Sequence, residues 1–343
     1  MFVSLRHRNA RRFFLGLLVS NVGTWMQMTA VSLVVYNITH RATDTGMNLL
    51  AQFLPMLLLG SWAGAVADRH DKRRTAILTQ SLQALLAFAL GAVTLGGWAN
   101  LPSLYVLSTL LGIVNAFDNP ARRGFVIELV EPNEISNAVS LNTAVMTGSR
   151  IVGPALAAIL MQQLDHRTGP GWLFLMNGVS FVAILWPLIA VDQTGLHRSP
   201  PARRGGTPVR DAIRFIVTDR RLLTVFVVFA LVGTFAFNYS VSLLKIADAR
   251  FNHKYLFGVL LATTGFGSMI GSLLTAARSK VTTDWFLASG LLLGVAGPLM
   301  AWAPSVWFAI VASVPVGMGG AAFIAAQNSI LQQESPHDMR GRL

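Results

Sequence analysis

The chain has 343 residues, 53% of them hydrophobic and only 12% charged, with a formal net charge of +12. That charged fraction is about half of what a soluble domain carries, and aromatic residues do not interleave with the basic clusters, so the positive charge does not describe a nucleic-acid surface. Cysteine is absent, which excludes disulfide and thiol chemistry.

Apolar runs follow one another along the sequence. Residues 13–39, 45–67, 75–117, 168–191, 222–244, 255–277 and 285–333 are uncharged, and 135–164 contains Arg150 as its sole charge. About 20 apolar residues cross the hydrocarbon as a helix, so 75–117 and 285–333 are each too long for one span. Gly96, Gly97, Trp98 and Pro102 break the first, and Trp302, Pro304 and Ser305 break the second. Proline or glycine beside tryptophan marks a membrane interface. Ten transmembrane helices are predicted. The first run is too long for the apolar core of a leader peptide, and more membrane follows it.

Lysine and arginine sort by side. With the N-terminus placed in the cytoplasm, 21 of the 27 fall on the cytoplasmic face; Arg41, Arg167, Lys245, Arg250 and Lys254 fall outside, and Arg150 lies within the bilayer. The positive-inside rule then puts both termini in the cytoplasm, with the basic loops facing an anionic leaflet. The longest loop, 192–221, separates a six-helix bundle at 1–191 from four helices at 222–343. Pro200, Pro201, Gly205 and Gly206 give it a hinge composition. Val209, Ala212, Ile213, Ile216 and Val217 share one helical face, read either as a helix on the inner membrane surface or as a solvated linker.

Several residues in these spans are functional candidates. Gly60, Gly64 and Asp68 are spaced by four, so the glycines admit a second helix and place Asp68 and Arg69 at the membrane edge, where an ion pair or a helix N-terminus could engage the carboxylate. Asn21, Thr24, Trp25, Met28 and Ser32 share a face of the first helix, and Thr234, Asn238 and Ser242 a face of the seventh. Such faces either converge on a midplane cavity or serve interhelical hydrogen bonds worth about 0.6 kcal/mol each. Arg150 sits mid-run, where an ionisable side chain is a functional candidate. With Thr143, Met146, Pro154 and Ala157 on its face, it either binds an anionic substrate group, takes part in coupling, or bonds carbonyls near the Pro154 break. Gly153 and Pro154 bend this helix or let it pack tightly. Asp118 is expected to end the fourth helix, which leaves no embedded carboxylate to carry a proton. The seven histidines lie in loops or tails without ligand spacing, so no metal site is expected. Phosphate-loop and hydrolase motifs are absent, which points away from an enzyme. No cofactor and no obligate protein partner is implied.

The stretch Gly64 to Arg74, with Asp68-Arg69 followed by Lys72, Arg73 and Arg74, resembles the signature loop of the major facilitator superfamily, with Asp71 where many members have a second glycine. Gly23 to Gln27, Phe117 to Arg122 and Ser149 to Ala157 are similar to motifs of its enterobactin-exporter-like, drug-efflux branch, the transmembrane secretion effector type. In the last stretch Gly153 and Pro154 match the antiporter motif. Gly267 and Gly271 with Arg278 and Lys280 form a fainter echo in the second half, Thr275 standing in for the aspartate. The resemblance implies an all-α membrane protein of the major facilitator fold, with a six-helix N-terminal bundle and an incomplete, four-helix C-terminal one. It also implies proton-coupled export of a drug-like compound or siderophore by alternating access. Gly60, Gly64, Asp68, Arg69, Asp118, Gly153 and Pro154 would be its conformational gate. Two departures stand out: the superfamily has twelve helices, so Asp68 would lack the helix it engages, and 108–112 lacks the arginine many proton-coupled antiporters have there. A truncated, non-transporting relic, or a scaffold or sensor on the same fold, is the alternative expectation.

Overall fold

A computed structural model describes residues 3–165, 167–192, 196–197, 217–236, 239–253, 256–278 and 281–334, without the side chains of Asp68, Asn133, Ser136, Tyr239, Ser240 and 332–334. The chain divides into two compact units, Met1–Ala202 and Arg203–Leu343. The expected surface helix at 209–217 lies almost wholly outside the described residues, as does Asn238.

The first unit holds α1 (Arg8–Thr39), α2 (Ala42–Arg69), α3 (Lys72–Leu95), α4 (Leu101–Glu128), α5 (Ile135–Gln163) and α6 (Gly169–Ile189). Short polar turns set their ends. Asp71 caps α3, its Oδ1 accepting the Arg74 N–H at 2.9 Å, which gives this departure from the signature loop a local role. Asn100 and Ser103 form a reciprocal capping box at the start of α4. α1 packs along α5 and α6, α2 along α4, and α3 along α4 and α6.

Lipid offers no hydrophobic drive between helices, so small residues and polar contacts hold them. Gly16 lies on the Ala183 carbonyl of α6, and a Cβ at Gly153 would sit 2.5 Å from Trp25 Cβ and 2.8 Å from the Val22 carbonyl oxygen of α1. Tight packing is thus what Gly153 provides. At one end of the bundle, Phe13 stacks edge-on against Phe14 and Phe125. Polar links tie the same end together. Ser4 Oγ donates to Asn137 Oδ1 (2.8 Å), His7 Nε2 lies 2.8 Å from Glu134 Oε2, Lys72 donates to Glu128 (2.9 Å), and Arg73 donates to the Leu188 and Ile189 carbonyls (2.6 and 2.8 Å). The basic loops of the first unit therefore gather at one face.

The fourth helix corrects the sequence reading. It does not end at Asp118; α4 runs ten residues further, to Glu128, through Pro120. Ala121, Phe125 and Val126 are buried and continue the inward stripe, which outweighs the hydrogen bond that proline removes.

The second unit comprises α7 (Arg220–Ala236), α8 (Tyr239–Ala249), α9 (Leu256–Ala276), α10 (Thr283–Ala301) and α11 (Val306–Glu334). α11 packs along α9 and α10. The echo glycines act here as close-contact residues, since a Cβ at Gly267 or Gly271 would fall on the Val314 or Met318 carbonyl of α11. Among the described residues, ten stretches are long and apolar enough to cross a membrane, with α7 and α8 belonging to one of them. This is the expected all-α, six-plus-four arrangement.

Candidate functional site

Asp118 is the centre of a buried network in the first unit. It is 1% exposed. Its Oδ1 accepts from Thr79 Oγ1 (2.7 Å) and Gln80 Nε2 (2.8 Å), both on α3. Its Oδ2 lies 3.2 Å from Arg122 Nε, one turn on. Arg122 in turn donates to Asn21 Oδ1 on α1 and to Asn119 Oδ1, each at 3.3 Å. One ion pair thus joins α1, α3 and α4, and the carboxylate that seemed to sit at a helix end is embedded. Burial of such a pair is tolerated because the remaining lone pairs and protons find partners.

Polar side chains continue through the bundle core. Asn177 of α6 donates to Gln27 Oε1 of α1 at 2.8 Å, and Ser108 of α4 donates to Asn48 of α2 at 2.8 Å. Between them lies a void of about 10 Å³ lined by Thr24, Gln27, Gln52, Gln83, Asn115 and Asn177, among others. Asn21 Nδ2, Gln80 Oε1 and Gln83 Nε2 are buried without a hydrogen-bond partner among the described residues.

Arg150 is placed differently. Its guanidinium stacks over the Trp25 ring, 4.9 Å from the centroid, and the side chain is exposed within its unit. Among the described residues it has no carboxylate or hydrogen-bond partner, so the carbonyl-bonded reading of Arg150 has no support in the contacts. Thr143 is also exposed and Met146 half-buried, whereas Pro154 and Ala157 are buried. The expected α5 face therefore splits into an open part, around Arg150, and a packed part.

The α1 face splits too. Asn21 joins the Asp118 network, Trp25 meets Arg150, and Thr24 and Met28 line the small void. Thr24 and Ser32 spend their hydroxyls on the carbonyls of Ser20 and Met28. Thr234 likewise bonds the Ala230 carbonyl. Gly60 and Gly64 meet nothing of their own unit within 4 Å, so their face of α2 stands open beside exposed Trp62. Arg69 is exposed at the end of that helix, and the Asp68 side chain is outside the description.

Thr79, Gln80, Gln83, Gln27 and Asn177 were missed by sequence reasoning. The signal was present, since each is an amide or hydroxyl inside an uncharged run. The Asp118–Arg122 spacing of four was also legible, but the supposed helix end hid it.

The sequence profile of the transmembrane secretion effector family matches residues 1–343. The staphyloferrin A transporter of Staphylococcus aureus is 25% identical over 289 residues, 83% of this chain and 71% of that protein. The multidrug efflux pump Tap of Mycolicibacterium fortuitum is 24% identical over 336 residues, 95% of this chain and 81% of its own length. Among solved structures, a bacterial homologue of the human lysosomal transporter Spinster, inward-facing and unoccupied, matches with TM-score 0.71 at 16% identity, over 97% of this chain and 77% of that one. The nucleoside transporter NupG matches with TM-score 0.72 at 11% identity, over 98% and 85%. These likenesses show the fold, and the relatives are transporters, not enzymes.

Proposed function

The chain belongs to the transmembrane secretion effector family of the major facilitator superfamily, and on that premise we propose that it exports a small amphiphilic molecule bearing an anionic group, siderophore-like or drug-like, across the bacterial inner membrane. Export proceeds by alternating access as an antiport against protons, with both termini and the basic loops in the cytoplasm. The observation that carries the substrate reading is the Arg150 guanidinium. It is exposed on Trp25 and has no protein anion among its described neighbours. A cation held at mid-span costs about 3 kcal/mol or more in lipid, which an anion on the open side of α5 would offset. Charge-assisted bonds from guanidinium are among the strong ones, and the indole adds an apolar wall.

The proton reading rests on Asp118, a buried carboxylate in a span. Neutralising it would remove the charge that holds Arg122, and with it the tie from α4 to Asn21 of α1. The profile match over residues 1–343 supports a transporter over a relic or scaffold. One experiment tests both parts: accumulation of an anionic siderophore and of drug-like amphiphiles in cells, with and without the full protein and with and without an uncoupler. Expression should lower accumulation, and the uncoupler should abolish the difference. Arg150→Ala should lose export of anionic compounds, and Asp118→Asn should lose the response to the uncoupler. If Arg150→Ala and Arg150→Lys both exported normally, the anion site would be elsewhere. Equal accumulation in all four conditions across the panel would remove the efflux reading.

A further inference from the structure

A groove of about 570 Å³ opens between α2, α3 and α4, apart from Arg150 and reaching the Asp118 network only through Thr79. Its walls are apolar. Leu78 and Leu82 of α3 face Ile113, Val114 and Phe117 of α4, and Val66 closes the α2 side. From Arg74 to Leu82 it runs about 12 Å along the helix axis. Leu78 and Leu82 remain partly exposed at 61% and 39%, so the groove opens outward from the bundle.

Charge is confined to one end. His70, Asp71 and Arg74 line the mouth. The basic cluster around it is not equally available. Lys72 is held by Glu128, and Arg73 by the Leu188 and Ile189 carbonyls. His70 Nδ1 lies 2.9 Å from the Val66 carbonyl, and Asp71 Oδ1 caps the α3 backbone. The Arg74 guanidinium has no partner among the described residues and is exposed, with exposed Arg69 a few residues away.

An apolar trough one helix-end deep, with an uncommitted guanidinium at its membrane-edge mouth, has the layout of a phospholipid with its tail inward. We propose that this groove binds one anionic phospholipid, its acyl chain along Leu78, Leu82 and Phe117 and its phosphate on Arg74. A planar guanidinium meets a phosphodiester with two parallel hydrogen bonds. The segment 68–74 carries Arg69, Lys72, Arg73 and Arg74 against Asp68 and Asp71, a net positive charge that favours a headgroup with net negative charge. The site rests on the membrane-embedded reading of the bundle, but not on the substrate or the coupling ion.

The test is native mass spectrometry of the full protein in mild detergent, titrated with phosphatidylglycerol, phosphatidylethanolamine or phosphatidylcholine of matched chains. A one-to-one phosphatidylglycerol adduct should persist where the other two are stripped. Arg74→Ala should weaken it about fivefold, the effect of one basic residue at the interface, and Arg74→Lys should keep most of it. Leu82→Trp, which fills an open part of the groove, should remove the adduct while Arg74 stays in place. Equal retention of phosphatidylcholine or phosphatidylethanolamine, or an unchanged adduct in either Arg74→Ala or Leu82→Trp, overturns the proposal. Both side chains are exposed, so both variants should remain monodisperse, and neither result depends on transport.

Discussion

Removing the Arg122 side chain is the sharpest probe of the first unit. Arg122→Ala takes away the one cation that pairs with Asp118 Oδ2 among the described residues, where the two are 3.2 Å apart with side chains 11% and 1% exposed. It also strands Asn21, whose Oδ1 accepts from Arg122 and whose Nδ2 already lacks a partner among the described residues. Thr79 and Gln80 still donate to Oδ1, but two neutral donors do not balance a buried charge. Breaking a buried pair from one side costs about 3–5 kcal/mol. For a unit of this size that lowers the melting temperature by about 6–20 °C. The pair itself is worth far less than its rupture. The double variant Asp118→Leu, Arg122→Met removes both charges and keeps volume, so it should recover at least half of the loss. The assay is unfolding in detergent followed by tryptophan fluorescence, with size-exclusion chromatography as a control. If Arg122→Ala melts within about 2 °C of the parent, or the double variant falls as far as the single, Asp118 is not the charged hub of the unit.

The remaining predictions use other features of the structure. Gly153→Leu should cost about 1–3 kcal/mol through overpacking on the α1 backbone, whereas Gly60→Leu, on an open face, should leave unfolding of the first unit within about 0.5 kcal/mol; similar melting of the two variants would contradict the assigned packing. Because the chain has no cysteine, single cysteines report sidedness cleanly. A membrane-impermeant maleimide should label Ala99→Cys in intact cells and Ser199→Cys only after permeabilisation, and the reverse pattern would invert the topology.

Helices were legible because lipid imposes one rule on every span. A run of apolar residues long enough to cross satisfies its own backbone, and the breaks at Gly96–Gly97 and Trp302–Pro304 needed no tertiary information. The end of α4 was not legible, because charge usually marks a boundary. Here Asp118 and Arg122 neutralise each other and the helix carries them inward, so a charged segment, 118–128, behaves as interior. The α1 and α5 faces show a second limit. A shared helical face is a necessary condition for lining a cavity, but the neighbouring helix decides which part stays open. Asn21 and Trp25, one turn apart, go to different neighbours, α4 and α5. Gly60 and Gly64 carried the same small-residue signal as Gly267 and Gly271, yet within their own units only the second pair is covered.

What separates a structural charge from a functional one in this bundle is therefore whether its partners lie inside the unit. Arg122 and Asp118 close on each other and on Thr79, Gln80, Asn21 and Asn119, so a fixed arrangement of the unit meets most of their hydrogen-bonding capacity. Arg150 does not close. Stacking on Trp25 returns about 0.5–2 kcal/mol, less than the mid-bilayer cost of the charge. Among the described residues nothing else meets the difference, and on the proposed function it comes from water or an anion on the open side of α5. A guanidinium satisfied by a bound anion is one whose free energy changes as that anion arrives and leaves. That dependence is what a transport cycle requires of a binding residue, since a ligand shifts a conformational equilibrium only through unequal interaction with its states. The Asp118 pair meets the same requirement only if the pair itself opens. On the proposed function the two sites would then take different roles, Arg150 meeting the cargo and Asp118 the ion that drives it.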